Sequence, residues 1–192
     1  ADAGHELKTP LTSLRTNVEL LIAASKPGAP AIPDDDRGAL EQDVVGQISE
    51  LSQLVGDLVE LAREDSGEVE PEPVAVADAI EHALERVRRR SHDVDFRVEL
   101  IPWFSFGDSA GIERAVLNIC DNAAKWSPKG GIVTVRMQTI SDSVMELIVS
   151  DQGPGVPVED RQLVFERFHR SRVARAMPGS GLGLAIVRQV VT

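Results

Sequence analysis

Leu7, Leu11, Leu14, Val18 and Leu21 fall at alternating four- and three-residue steps, which draws one aliphatic stripe along a helix. A second stripe follows at Val44, Ile48, Leu51, Val55 and Leu58. Between them, residues 26–36 (KPGAPAIPDDD) hold three prolines and one glycine, through which a helix cannot continue. Two amphipathic helices joined by a short breaker form an antiparallel hairpin. One hairpin leaves much of its stripe in water, whereas two hairpins paired as a four-helix bundle cover it. The sequence therefore predicts a homodimer through this region.

The pattern changes after residues 64–73 (EDSGEVEPEP), an acidic stretch with one Gly and two Pro that reads as a linker. Ile80, Ala83, Leu84 and Val87 mark an amphipathic helix. Val94, Phe96, Val98 and Leu100 alternate with Asp95, Arg97 and Glu99, the period of a half-buried strand. A helix is predicted from about Ser109 to Lys125. Two more alternating runs follow, Val133–Val135–Met137 and Met145–Leu147–Val149. This part is mixed α and β, with helices packed on one face of a sheet.

The net charge of −11 sets the chain against nucleic acid and anionic membrane surfaces as primary partners. One cysteine, Cys120, excludes an internal disulfide and a multi-cysteine zinc site. No apolar run approaches the roughly 18 residues of a spanning helix. The chain opens and closes inside helical patterns, so it is expected to be a piece of a larger protein.

Three motifs suggest a phosphate-bearing ligand. Asn118, Asn122 and Lys125 lie at i, i+4 and i+7 of the predicted helix and share a face, while Ile112, Val116, Ile119 and Ala123 form the face expected to be buried. An amide oxygen suits Mg²⁺, and an ammonium suits phosphate. A solvated helix face reads equally well. Asp151-Gln-Gly153-Pro-Gly155 follows a strand; its carboxylate could accept from an exocyclic amine, and its residues also make a plain turn. Gly179-Ser-Gly181-Leu-Gly183 precedes an apolar helix and could present N–H groups to an anion, although it has neither the strand of a dinucleotide fingerprint nor a P-loop ending. Between the last two motifs, Arg167, Arg170, Arg172 and Arg175 face a single acid, Glu166. That run suits either a mobile lid over phosphates or a solvated surface.

His5-Glu6-Leu7-Lys8-Thr9-Pro10 lies on the first helix. A neutral imidazole is a fair nucleophile, and an adjacent carboxylate can take the proton that phosphorylation releases. Thr9, one turn on, could orient a water for the reverse hydrolysis. The alternative makes Thr9-Pro10 an N-cap and first helical residue, with His5 in a lead-in. Leu7 continues the stripe in phase, which favours a helix running through Pro10 with a local kink.

Taken in order, these motifs resemble those of the sensor histidine kinases. His5–Leu11 looks like the family's H box, Asn118–Lys125 like its N box, Asp151–Gly155 and Gly179–Gly183 like its two glycine boxes, and Phe165–Phe168 like its F box. TPLTSLRTNVELL, NAAKWSP and PGSGLGLAIV look like the actinobacterial branch. The resemblance implies a helical hairpin forming a dimeric four-helix bundle, a dimerisation and histidine-phosphotransfer domain over 1–66. A linker at 67–73 and a C-terminally incomplete α/β sandwich of the GHKL ATP-binding type over 74–192 would follow.

The resemblance also implies roles. His5 is the phosphoacceptor, Glu6 the general base, and Thr9 serves phosphatase activity. Asn118 ligates Mg²⁺, Asn122 and Lys125 hold the phosphates of ATP, and Asp151 binds adenine in a pocket shaped by Gly153 and Gly155. Gly179, Gly181 and Gly183 hinge a lid, and Arg170 meets the γ-phosphate. Trp126 stands where the family often has Tyr, keeping a flat ring near the nucleotide. The implied partner is a response regulator receiver domain, and the implied setting is the cytoplasmic portion of a plasma-membrane sensor. Two rival readings are a GHKL ATPase of the chaperone or DNA-repair kind, which has no use for the His5 motif, and a coiled-coil scaffold that senses nucleotide without turnover.

Overall fold

A computed structural model describes residues 3–28, 30, 32–65, 70–171, 173, 174, 177 and 179–191, with side chains except at 3, 5, 6, 53, 60, 61 and 63–65. The chain forms two compact units, Ala1–Ala62 with Arg167–Leu182, and Arg63–Glu166 with Gly183–Thr192.

In the first unit, α1 (Ala3–Ala24) and α2 (Asp34–Asp65) flank the proline-rich breaker. Pro10 lies inside α1, so the helix does pass through it and His5 is on helical backbone. Pro10 lacks an N–H for the Glu6 carbonyl, a local loss that the turns on either side outweigh. Ser25 closes α1, its N–H donating to the Leu21 carbonyl at 3.2 Å and its hydroxyl to that of Ile22 at 2.8 Å. Asp34, Asp35 and Asp36 open α2, where carboxylates meet the positive end of the helix dipole. Gln47 Nε2 donates to Ser13 Oγ at 2.8 Å; the two stand nearly equidistant from the turn, as an antiparallel hairpin requires.

Leu54, 4% exposed, is the one buried apolar residue among the described residues of these helices, and it lies outside the expected stripe. Leu11, Ile48 and Val55 stay about half exposed, at 52%, 50% and 49%. The hairpin by itself does not cover the stripe that the sequence draws.

The second unit comprises β1 (Glu72–Ala75), α3 (Val76–Arg90), β2 (Val94–Glu99), β3 (Phe104–Gly107), α4 (Ser109–Trp126), β4 (Gly131–Ser141), β5 (Val144–Ser150) and α5 (Gly183–Val191), with 3-10 turns at Val158–Asp160 and Leu163–Phe165. β2, β4 and β5 make a sheet in that order, β2 parallel and β5 antiparallel to β4. Val133, Val135 and Met137 point from β4 into a core shared with Ile80, Ala83, Leu84 and Val87 of α3 and Val116, Cys120 and Ala123 of α4. Val94, Phe96 and Val98 join it from β2, while their neighbours Asp95, Arg97 and Glu99 are exposed. Both helices thus cover one sheet face, and each fully buried aliphatic side chain there contributes roughly 1.5–3 kcal/mol.

Two sequence expectations need correction, and one ribbon was not expected. β1 and β3 pair as a separate antiparallel ribbon, Pro73 opposite Phe106 and Ala75 opposite Phe104. The sequence reading passed over this ribbon: each strand is only four residues long, and Phe104 and Phe106 are exposed, so no buried face marks it. Glu72 and Pro73, read as linker, belong to this ribbon, where a missing N–H interrupts no central ladder. The buried face of α4 is wider than the expected one: Gly111, Ala115, Val116, Cys120 and Ala123 are buried, and Ile112 and Ile119 pack against the core as partly buried residues. At Gly111 a Cβ would lie 2.8 Å from the Asp108 carboxylate that caps the same helix.

Candidate functional site

α4 is the spine of the site in the second unit. Asp108 caps it, its carboxylate accepting from the Ala110 N–H at 3.0 Å, and Trp126 is its last residue. Asn118, Asn122, Lys125 and Trp126 are all partly buried. The two amides are turned in opposite senses. Asn118 Nδ2 donates to the Arg114 carbonyl at 3.0 Å, which leaves Oδ1 for a ligand. Asn122 Oδ1 accepts from the Trp126 indole N–H at 3.1 Å, which leaves its NH₂. Lys125 Nζ lies 5.8 Å from the centre of the Trp126 ring, within cation–π range.

Two glycine motifs converge on this helix. Beyond β5, Asp151 Oδ1 accepts from the Gly153 N–H at 2.7 Å, folding the loop back on itself. A Cβ at Gly153 would lie 2.6 Å from the Trp126 carbonyl oxygen, so only glycine lets the loop rest on the last turn of α4. The motif is therefore a turn that rests on the end of α4. Gly155 has φ +72°, in the left-handed region. Gln152, which the sequence reading passed over, ties the loop to β4 by accepting from the Ile132 N–H at 2.8 Å. Gly183 opens α5, and a Cβ there would lie 2.8 Å from Asn118 Oδ1. The lack of a Cβ keeps that space beside the oxygen open. Among the described residues no three His, Cys, Asp or Glu side chains cluster as a metal cage. A hard cation here would take Asn118 Oδ1 together with oxygens of a bound ligand and water, as Mg²⁺ prefers.

The other expected site residues belong to the first unit. His5 and Glu6 are on α1, their side chains outside the described residues, and Thr9 is exposed one turn on. Phe168 N–H donates to the Gly181 carbonyl at 3.0 Å, closing the base of the 168–181 segment, with φ +64° at Phe168 and +71° at Gly181. Within it, Arg170 Nη2 donates to the carbonyls of Ala174 and Met177. Those two bonds occupy Nη2 and leave the other N–H groups of the guanidinium for an anion. Arg172 and Arg175 lie outside the described residues.

The segment is fastened to α2. Gly179 N–H donates to Glu50 at 3.2 Å, and the Ser180 hydroxyl donates to Asp57 at 3.0 Å. Burial raises the Asp57 carboxyl above its usual range, and the Ser180 bond opposes that rise. The sequence reading did not single out Glu50 or Asp57. Their partners lie 129 and 123 residues away, beyond any local pattern.

Comparison with known proteins accounts for both units. Residues 1–67 match the His Kinase A (phospho-acceptor) domain, and residues 107–192 match the histidine kinase-, DNA gyrase B- and HSP90-like ATPase family. A solved structure of the mycobacterial sensor histidine kinase MprB is 58% identical, with TM-score 0.59, over 63% of this chain and 78% of that one. The chain belongs to the sensor histidine kinase family.

Curated relatives of this sensor histidine kinase include the signal transduction histidine-protein kinase/phosphatase MprB of Mycolicibacterium smegmatis, 64% identical over 191 residues. Its namesake in Mycobacterium tuberculosis is 63% identical over 190 residues. Each match takes in 99–100% of this chain but only 38–39% of the relative, so the chain spans about two fifths of their length. The Acinetobacter baumannii histidine kinase AdeS, at 24% identity and TM-score 0.68 over 97% of the chain, shares the fold. Among the described residues of this kinase, no helix is long and apolar enough to cross a membrane.

Proposed function

We propose that the chain binds ATP with Mg²⁺ along α4, transfers the γ-phosphoryl group to His5, and donates it to an aspartate on a response regulator receiver domain. The observation that carries this is the pairing of opposed amides. Asn118 offers an oxygen, suited to the metal, and Asn122 offers an NH₂, suited to phosphate oxygens, one turn apart beside Lys125. Mg²⁺, when bound, neutralises triphosphate charge. Asp151, an acceptor at the mouth of the β5 loop, suits the adenine amine, with Gly153 and Gly155 giving the loop its close path. Arg170 and the glycines at 179, 181 and 183 belong to a lid that reorganises over the phosphates. An imidazole nitrogen of His5 attacks the γ-phosphorus, ADP leaves, and Glu6 accepts the proton released from the ring. Thr9 orients water when the phosphorylated regulator is hydrolysed. The names of the relatives, kinase/phosphatase, support both directions of this chemistry. A domain division within 67–73, ahead of the start of β1 at Glu72, a homodimer through α1 and α2, and attachment of the parent protein to a membrane complete the proposal.

Incubation with γ-labelled ATP and Mg²⁺ tests it. We expect acid-labile, alkali-stable label on the chain, lost in His5→Gln while ATP affinity stays within a few-fold. Thr9→Ala should keep the label and slow dephosphorylation of the regulator. Acid-stable label, or full labelling of His5→Gln, would exclude His5 as the acceptor. Free phosphate without bound label would favour a plain GHKL ATPase, and nucleotide binding with neither would favour a scaffold.

A further inference from the structure

Trp126 makes a contact that the nucleotide-site reading alone does not use. A carboxamide can present either its oxygen or its NH₂ to a ligand, and rotation by half a turn exchanges them at almost no steric cost. A site built to hold phosphate oxygens gains from the NH₂ and is repelled by the oxygen. Something must therefore choose the orientation of Asn122. The backbone does so for Asn118, through the Arg114 carbonyl one turn earlier. Asn122 shows no such bond among the described residues; its Oδ1 is held instead by the Trp126 indole N–H at 3.1 Å.

An indole N–H only donates, so it accepts only the oxygen end of the amide. A phenol in the same place both donates and accepts, and would satisfy either orientation. The backbone that carries the indole is closely packed, and a cation stands near its ring. Gly153 packs on the Trp126 carbonyl so closely that a Cβ would lie 2.6 Å away, and Lys125 Nζ stands 5.8 Å from the ring centre.

We infer that Trp126 is a positioning residue that locks Asn122 with its NH₂ toward the phosphates, so that the indole N–H, and not only its flat ring, sets affinity for the phosphate tail. The inference rests on the ATP-site reading proposed above. It predicts a specific division of effects. Losing the N–H should weaken nucleotides that carry a phosphate tail and leave the nucleoside alone.

Trp126→Phe keeps a flat ring and removes the donor. Calorimetric titration of the 192-residue chain should show Mg²⁺-ATP and ADP binding weakened about tenfold, the scale of one hydrogen bond to a charged group, with adenosine binding unchanged. In an Asn122→Ala background the same substitution should have no further effect on ATP, because the orientation it controls is gone. A readout without nucleotide comes from the Trp126 indole N–H resonance, which should exchange slowly with solvent in the wild type and faster in Asn122→Ala. Equal weakening of adenosine and ATP, undiminished loss in the Asn122→Ala background, or unchanged indole exchange would each overturn the inference. A wild-type chain that gives the expected exchange behaviour but does not bind Mg²⁺-ATP would instead overturn the nucleotide-site reading and, with it, the phosphate role of the lock.

Discussion

Gly183 shows how one missing methyl can define a site. Its φ is not in the left-handed region, so alanine would fit the backbone and raise helix propensity at the start of α5. The added Cβ would nevertheless stand 2.8 Å from Asn118 Oδ1 and force that amide to move. We therefore expect Gly183→Ala to hold or raise the melting temperature while lowering Mg²⁺-ATP affinity several-fold and metal-free adenosine affinity less. Unchanged Mg²⁺-ATP affinity would remove Asn118 Oδ1 from the metal role. The sequence marked Gly183 as part of a glycine motif but gave no means of pairing it with Asn118, 65 positions earlier in a different helix.

At the scale of elements, α4 carries the site on one side and the core on the other, and Cys120 lies on the core side. It is completely buried, and burial, with a smaller contribution from Asp121, pushes its thiol from the ordinary 9.0 up to about 12. The folded chain therefore keeps the thiol protonated where the unfolded chain ionises it. Stability from this group is full below pH 9.0 and is lost as pH rises from there toward 12. Only the thiolate is a good nucleophile, so an alkylating reagent at pH 8 should leave Cys120 intact in folded protein and modify it at the rate of unfolding. Rapid modification without loss of structure, read by mass spectrometry and circular dichroism, would contradict the burial of this face. The helical period in NICDNAAK gave the polar face correctly. Which small residues join the buried face depends on what packs over them, and periodicity does not encode that.

At the scale of the whole molecule, the first unit has an unfinished surface. Ile48 is 50% exposed and Val55 49% exposed on α2, and Leu11 is 52% exposed on α1. A second hairpin would cover them. Ile48→Asp should be tolerated in a single protomer, where the position is already half in water, but would place a charge in the dimer interface at several kcal/mol. Sedimentation should find a wild-type dimer and an Ile48→Asp monomer of near-native helicity. A monomeric wild type, or a variant that stays dimeric, would count against the four-helix bundle.

The sequence by itself determined the features that repeat at a fixed local period or carry fixed local chemistry. These were both long helices and the breaker between them, the alternating strands β2, β4 and β5, and the polar face of α4. Such patterns are legible because one side of each element is apolar and the period of the backbone is constant. Tertiary structure decided what depends on partners distant in the chain. It brought Pro73 into a ribbon with Phe106, set Gly153 on Trp126 and Gly183 on Asn118, and bound the 167–182 segment to Glu50 and Asp57. It also turned the two site amides in opposite directions. The orientation of a carboxamide is set by the neighbours that its two ends meet, and those neighbours exist only once the chain has folded.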